Sequence, residues 1–328
     1  MRGKRRKGLV LLGLILVLCL SGCGKKQVED TVNIRVGSLK GPTSLGLLGL
    51  IEQEREEAQS RYTFQMATAG DELSLLLVKG ELDIALLPAN MAAILYQKTE
   101  GQITVLNLNT LGVLYGVSGD AEITSLEDLK GRTVYLTGKG ATPEASLRYL
   151  LSEAGLTEQE CTLEFLSEAS EAAAVLAEHP EAVGVLPQPF VTAALMQNEK
   201  LQVVLDLNEI WKEGGNGDYG MVTGVTVVRS AFLEEHPEAV RSFLEEQKKS
   251  VETVLADPQA AAVWAVEEGI VAKEPIAAKA IPECNLVCVT GQEMKTALSG
   301  YLEVLENFKP ELIGGKLPDE DFYYEAEK

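Results

Sequence analysis

After Val32 the chain alternates short apolar runs with stretches whose apolar positions recur every three to four residues. This alternation of strand-type and helix-type periodicity predicts crossover units built on parallel sheets. Residues 33–37 read as a strand, 45–59 as a helix and 63–67 as a second strand. Residues 71–79 read as a helix stopped by Gly80, because glycine readily takes the left-handed conformation that ends a helix. An apolar strand over 82–87 ends at Pro88; 91–98 is helical and 104–109 returns to strand.

A second round follows. Thr124 and Ser125 are placed to cap a short helix over 126–130, stopped by Gly131, and 132–137 is a strand. Thr142-Pro143-Glu144 carries three helix-start signals: a capping hydroxyl, a proline at the first helical position and an acid in the first turn. That helix runs to Ala154. Residues 162–166 form a strand, 171–177 a helix, and 182–186 a strand ending at Pro187. The rounds resemble each other. Ile84-Ala-Leu-Leu-Pro88 matches Val183-Gly-Val-Leu-Pro187, and Lys40-Gly-Pro-Thr43 matches Lys139-Gly-Ala-Thr142, both pairs at an offset of 99 residues. The last third does not repeat: a strand over 223–228 and long helices over 236–256, 257–268 and 294–308. This order predicts two lobes, one from 32–112 plus 222–328 and one from 113–221, with the chain crossing near 110–117 and 219–225.

Residues before Val32 have another character. Arg2, Lys4, Arg5, Arg6 and Lys7 precede an apolar run over 9–20 broken only by Gly13, too short to span a bilayer comfortably but suited to a signal peptide. The run ends at Leu20-Ser21-Gly22-Cys23, which resembles a bacterial lipobox. That resemblance implies cleavage of residues 1–22, a lipid on Cys23, an extracytoplasmic location on the cell membrane and a short polar tether over 23–31.

Formal net charge is −20, and loss of the five basic leader residues takes it to −25. Such an acidic domain is a poor partner for nucleic acid or an anionic membrane surface. With Cys23 acylated, Cys161, Cys284 and Cys288 remain, an odd number. Cys284 and Cys288 fall in an apparent strand, where four residues separate Cα atoms by about 13 Å, beyond the roughly 7 Å a disulfide tolerates. Both read as buried apolar fillers. His179 and His236 each sit in a Glu-His-Pro-Glu-Ala-Val repeat, and no grouping has metal-ligand spacing, so neither a metal nor a cofactor is expected.

Four segments carry a family resemblance: Arg35-Val-Gly-Ser-Leu-Lys-Gly-Pro-Thr43, Lys79-Gly-Glu-Leu-Asp-Ile-Ala-Leu-Leu-Pro88, Ser125-Leu-Glu-Asp-Leu-Lys-Gly131 and Thr137-Gly-Lys-Gly-Ala-Thr-Pro-Glu144. They are similar to the type II periplasmic solute-binding proteins, in the branch that binds sulfonates, nitrate and thiamine precursors. Leu298-Ser-Gly-Tyr-Leu-Glu-Val-Leu305 and Gly314-Gly-Lys-Leu-Pro-Asp319 resemble a firmicute lipoprotein subgroup of that branch. The resemblance implies an α/β protein of the two-lobed periplasmic-binding-protein-like II fold, each lobe a mostly parallel sheet flanked by helices. It further implies a monomer that captures a small polar or anionic ligand and delivers it to an ABC permease and its ATPase. Two other functions stay open: an enzyme on the same fold, such as a menaquinone-pathway lyase or a pyrimidine synthase, and a lipid-anchored sensor or adhesin. Catalysis would ask for a basic or nucleophilic group in a cleft loop, and neither histidine lies in one.

Ligands of such sheets sit beyond the carboxyl ends of strands. This places candidates at 38–44, 69–71, 88–90, 138–142 and 188–190. Within them, Ser38, Gly41, Pro42, Thr43, Gly70, Asn90, Gly140, Thr142 and Gln188 are the expected ligand-binding residues. Glycines at 41, 138 and 140 allow close backbone approach, and helix N-termini favour an anion or a carbonyl. Asn90 and Gln188 follow the two strand-ending prolines and can both donate and accept. Thr142 can alternatively serve only as a helix cap. Glu144 would oppose an anion if it faced the cleft. Phe190 and Tyr219 can stack on a planar ligand.

Overall fold

A computed structural model describes residues 32–217 and 219–325; the leader, lipobox and tether lie outside them. The first stretch runs β1 (Ile34–Leu39), α1 (Pro42–Leu45), α2 (Leu48–Glu56), β2 (Tyr62–Ala67), α3 (Gly70–Val78), β3 (Ile84–Pro88), α4 (Ala89–Lys98) and β4 (Ile103–Leu111). The next runs β5 (Leu114–Ser118), β6 (Thr133–Leu136), α5 (Thr142–Glu153), β7 (Thr162–Phe165), α6 (Ala169–Glu178), β8 (Val183–Pro187), α7 (Phe190–Gln197), β9 (Gln202–Asp206) and α8 (Leu207–Glu213). The last runs β10 (Val222–Arg229), α9 (Ser230–Glu235), α10 (Pro237–Ala256), α11 (Pro258–Glu267), α12 (Glu274–Ala280), β11 (Leu286–Val289) and α13 (Gly291–Phe308).

The strands form two sheets, ordered β11-β4-β10-β3-β1-β2 and β7-β6-β8-β5-β9. In the first, β1 pairs in parallel with β2 and β3, while β10 enters antiparallel between β3 and β4. In the second, β6 pairs in parallel with β7 and β8, while β5 enters antiparallel between β8 and β9. Each sheet therefore has most strands running one way and a reversed strand near its middle. The reversed strand is the first in sequence after the chain crosses from the other sheet. The 99-residue relation extends well beyond the two motifs that revealed it: β1 and β6 start at Ile34 and Thr133, α3 and α6 at Gly70 and Ala169, β4 and β9 at Ile103 and Gln202.

Buried apolar residues explain these elements. Every residue of β3 is buried, as expected of a central strand covered on both faces. In α13, Met294, Ala297, Leu298, Tyr301, Leu302 and Leu305 form one buried stripe. They join a core that holds Leu87 and Val105 of the first sheet together with Val134 and Val185 of the second. Where the halves meet, Trp211 lies 4.9 Å from Tyr149 and 5.2 Å from Tyr301, ring centre to ring centre. The Ser146 and Tyr301 hydroxyls pair at 2.9 Å, both buried. At the far end of the first sheet, buried Asp83 accepts from Arg35 Nε at 2.8 Å and from the Arg229 guanidinium at 2.7 Å. Burial pushes the Asp83 carboxyl up, but the hydrogen bonds from Arg35 and Arg229 outweigh it and hold the group below 3.8.

Several local expectations are corrected. The helix expected over 45–59 is two, α1 and α2, broken at Gly46 and Leu47. Residues 126–130 make only a 3₁₀ turn over Glu127–Leu129, and the capping runs the other way: Asp128 Oδ2 accepts from the Thr124 and Ser125 amides, both at 2.9 Å. Cys284 precedes β11 rather than lying in it, and Cys288 is only half-buried; both are free thiols. Burial raises both thiols, Cys288 to about 11.

Candidate functional site

A cavity of about 490 Å³ opens between the carboxyl-terminal edges of the two sheets, within the size range of small-molecule sites. From the first sheet come Leu39 and Lys40 after β1, Thr68 after β2, Pro88 at the end of β3, and Pro42 and Thr43 of α1. From the second come Thr137 and Gly138 after β6, Thr142 of α5, Ser167 to Ser170 after β7, and Pro187, Pro189 and Phe190 around the start of α7. The reversed strands contribute Leu114 and Thr223, the connection from α11 to α12 contributes Ile270 and Val271, and α12 contributes Ile276.

Of the residues expected from the sequence, Pro42, Thr43 and Thr142 reach this wall. Thr43 Oγ1 donates to the Leu39 carbonyl at 2.9 Å, and its methyl lies against Gly224 of β10. Thr142 is the first residue of α5 and not its cap; Ala141 holds the cap position. The Thr142 hydroxyl lies 3.3 Å from both Asn90 Oδ1 and the Thr223 carbonyl, so it ties the two halves together.

The other six are not among the wall residues. Ser38 pairs with Ser44, oxygen to oxygen 2.7 Å. Gly41 has φ 147°, a left-handed value that a side chain would strain. Gly70 begins α3 tight against Met91, where an added Cβ would sit 2.8 Å from its sulfur. Asn90 is fully buried and donates to the carbonyls of Gly140 at 3.0 Å and Leu312 at 3.2 Å. Gln188 Oε1 accepts from the Thr192 amide and hydroxyl, the latter at 2.9 Å, closing the first turn of α7. The Gly140 amide donates to Glu144 Oε2 at 2.7 Å, and Glu144 Oε1 accepts from Arg148 Nε at 2.7 Å. Glu144 is thus turned onto its own helix start. Phe190 lines the cavity; Tyr219 reaches Glu293 instead, at 3.1 Å.

Sequence reasoning missed Thr68, Thr137, Ser167 and Thr223. The first three follow strand ends by a residue or two, so the rule that found their neighbours covers them. Thr223 had no such signal. It is near the start of β10, and only the reversal of that strand brings its start to the cleft. Its Oγ1 is buried without a hydrogen-bond partner among the described residues. Lys40 and Glu168 are the wall's only side chains that carry charge at neutral pH, and both are exposed. Among the described residues no group of three or more His, Cys, Asp or Glu could hold a metal ion, and no helix is long and apolar enough to cross a membrane.

The cavity is bracketed on both sides. Behind it, α5 packs against α4 and α13, with Thr142 on Asn90 and Ser146 on Tyr301. In front, Ala193 of α7 packs against the cluster formed by α11 and α12, with Ile276 among its members.

Two sheets flanked by helices, with a cavity between their carboxyl edges, define the two-lobed architecture of periplasmic solute-binding proteins. Solved structures of that architecture superpose along most of the chain. An ABC transporter protein from Parabacteroides distasonis is 27% identical, with 91% of this chain and 100% of that one covered at a TM-score of 0.75. The periplasmic aliphatic sulphonate binding protein SsuA of Escherichia coli is 15% identical, with 90% and 92% covered at 0.71. The periplasmic nitrate-binding protein NrtA of Synechocystis PCC 6803 is 11% identical, with 72% and 66% covered at 0.55. The family model described as menaquinone biosynthesis matches residues 47–280, and the chain belongs to that family. No curated protein matches it.

Proposed function

We propose that this protein is an extracytoplasmic solute-binding lipoprotein, held to the membrane by a lipid on Cys23, that delivers a small solute to an ABC permease. The observation that carries the reading is the cavity, whose wall comes from strand ends of both sheets and from both reversed strands. A site divided in this way is complete only when the two halves are together. A solute then favours the closed form by its differential affinity for it. The lobes of this reading are 32–112 plus 222–328 and 113–221, in keeping with the strand membership of the two sheets. The 27% identical ABC transporter protein supports the importer role.

The family description favours a second reading, an enzyme of the menaquinone-biosynthesis type. On this wall the proton-moving groups would have to be Lys40 and Glu168, both exposed. One experiment addresses both readings. The protein is purified from native membranes, its co-purifying small molecules are identified by mass spectrometry, and each is returned to the stripped protein. Recovery of the unchanged solute, with a concentration-dependent rise in melting temperature, is the expected result. Turnover of the returned molecule would establish the enzyme instead.

A further inference from the structure

Glu144 is the acid in the first turn of α5, yet its carboxylate serves the turn that precedes the helix. Residues 138–141 make that turn. The Ala141 amide donates to the Gly138 carbonyl at 2.9 Å, and Gly140, in the third place, has φ 78°. Lys139, in the second place, has no positive φ. Together these define a type II turn, which needs a left-handed third residue and so favours glycine there. A type I turn places the central peptide the other way up. Here the central peptide joins Lys139 to Gly140, and its N–H donates to Glu144 Oε2 at 2.7 Å. Reversal would turn that N–H away from the carboxylate. Packing does not hold the peptide, because Gly140 is exposed and a side chain there would meet nothing within 4 Å.

The anchor is itself held. Glu144 Oε1 accepts from Arg148 Nε at 2.7 Å, and Arg148 Nη1 donates to Glu158 Oε1 at 2.7 Å. The Glu144 side chain is only 13% exposed. On the other side of the turn, the Gly140 carbonyl accepts from Asn90 Nδ2 at 3.0 Å. That bond joins the halves: Asn90 is in α4, after β3 of the first sheet, and Gly140 follows β6 of the second. Asn90 cannot follow a moving acceptor. It is fully buried and also held by the Leu312 carbonyl and the Thr142 hydroxyl.

We propose that Glu144 is a positioning residue for closure: by fixing the turn over 138–141 it presents the Gly140 carbonyl to Asn90. A carboxylate that is not part of the cavity wall thus sets how firmly the two halves are tied. A solute that needs the closed form then meets a protein already biased towards it, which raises apparent affinity with no contact to Glu144. This consequence for capture rests on the solute-binding reading above. The tie itself does not, and its test needs no solute.

The test uses the mature chain, with X-ray scattering to read the separation of the halves and hydrogen exchange to read the Gly140 amide. Glu144→Ala should expand the molecule and speed exchange of that amide at least about tenfold, the low end for a hydrogen bond to a charged acceptor. Glu144→Gln keeps an oxygen where the amide needs one, and Arg148 keeps Glu158, so both readouts should stay near wild type. Glu144→Asp keeps the charge but is one methylene too short, and should behave as alanine does. In an Asn90→Ala background, Glu144→Ala should expand the molecule no further, because its effect passes through Asn90. An alanine variant as compact as wild type would overturn the proposal, as would added expansion on top of Asn90→Ala. So would a glutamine variant that opens, or an aspartate variant that stays closed; the latter would mean that Glu144 supplies only charge to the start of α5. Should the alanine variant fail to fold, glutamine against aspartate decides the matter. All of these outcomes leave the solute-binding reading standing.

Discussion

Asn90→Ala tests whether the contact that ties the two halves together behind the cavity matters to the free protein. Asn90 is fully buried, donates to Gly140 O and Leu312 O, and lies 3.3 Å from the Thr142 hydroxyl. Alanine removes all three interactions. At a net 0.5–1.5 kcal/mol for each neutral hydrogen bond, the loss is about 2–4 kcal/mol. Unfolding entropy near 2.1 cal/mol/K per residue gives a chain of this size about 0.6 kcal/mol/K, so the melting temperature should fall by about 3–7 °C. Asn90→Asp sharpens the test. A carboxylate of the same shape has no N–H to give and would face two carbonyl oxygens, so its fall should equal or exceed that of alanine. Scanning calorimetry of the ligand-free variants reads both numbers, and X-ray scattering reads the separation of the halves, which should increase. A shift under about 1 °C for alanine, or an aspartate variant as stable as wild type, would refute the bridging role.

The remaining predictions concern other parts of the molecule. Asp83→Asn should cost about 2–3 kcal/mol at neutral pH in urea unfolding, at or below the low end for a broken buried ion pair because Arg35 and Arg229 keep contact with water. The folded Asp83 carboxyl is held below 3.8, so its stabilisation is complete above the unfolded value and is lost as pH falls through the folded one. The gap between wild type and variant should therefore be constant from pH 7 to 5 and narrow below about pH 4; a gap that widens in acid would contradict the assignment. Ala193→Trp places a large ring in the seam between α7 and the α11–α12 cluster, so scattering should show a more open molecule and solute affinity should drop, while an unchanged profile would mean the halves do not part there. Cys23→Ser should abolish incorporation of a fatty-acid analogue and release the protein from the membrane; equal labelling of the variant would end the lipoprotein reading.

Alternating strand and helix, the strand-ending prolines at 88 and 187 and the 99-residue offset were legible because they depend on local periodicity and turn chemistry. The reversal of β5 and β10 was not. An antiparallel central strand is as apolar as its parallel neighbours: Val222 to Val228 of β10 are buried throughout, as is every residue of β3. Pattern alone therefore gives no direction. The site was half legible for the same reason. Candidates placed by the strand-end rule fell on loops that border the cavity, yet side-chain direction within a loop is set by partners distant in sequence. Asn90 was chosen for its amide; it faces the Leu312 carbonyl, 222 residues away, which no local signal announces. Gln188 was chosen on the same ground, and its amide oxygen closes a helix turn four residues on.

The reversed strands also bear on how ligand contact and lobe motion are connected. β5 begins at Leu114, directly after the chain crosses through Gly112 and Val113, and β10 begins at Val222, directly after the return crossing. Because both strands run against their neighbours, their first residues lie at the cleft, and Leu114 and Thr223 are wall residues. A molecule in the cavity therefore touches the two segments about which the halves would turn. Asn208 spans the same two segments: its Oδ1 accepts from the Met221 amide at 2.9 Å, and side chains added at Gly112 or Gly220 would overlap it. Gly112 answers a packing demand at the crossing, and Gly220 the same demand together with a left-handed φ of 71°. With the crossings held together by Asn208 and the back closed by Ser146 and Tyr301, rotation about these segments would open the molecule at the α7–α12 seam, where Ala193 packs on an apolar cluster and no hydrogen bond joins α7 to α12 among the described residues. Separating apolar surfaces breaks no hydrogen bond, so the front of the cleft is the side that can open and close at least cost.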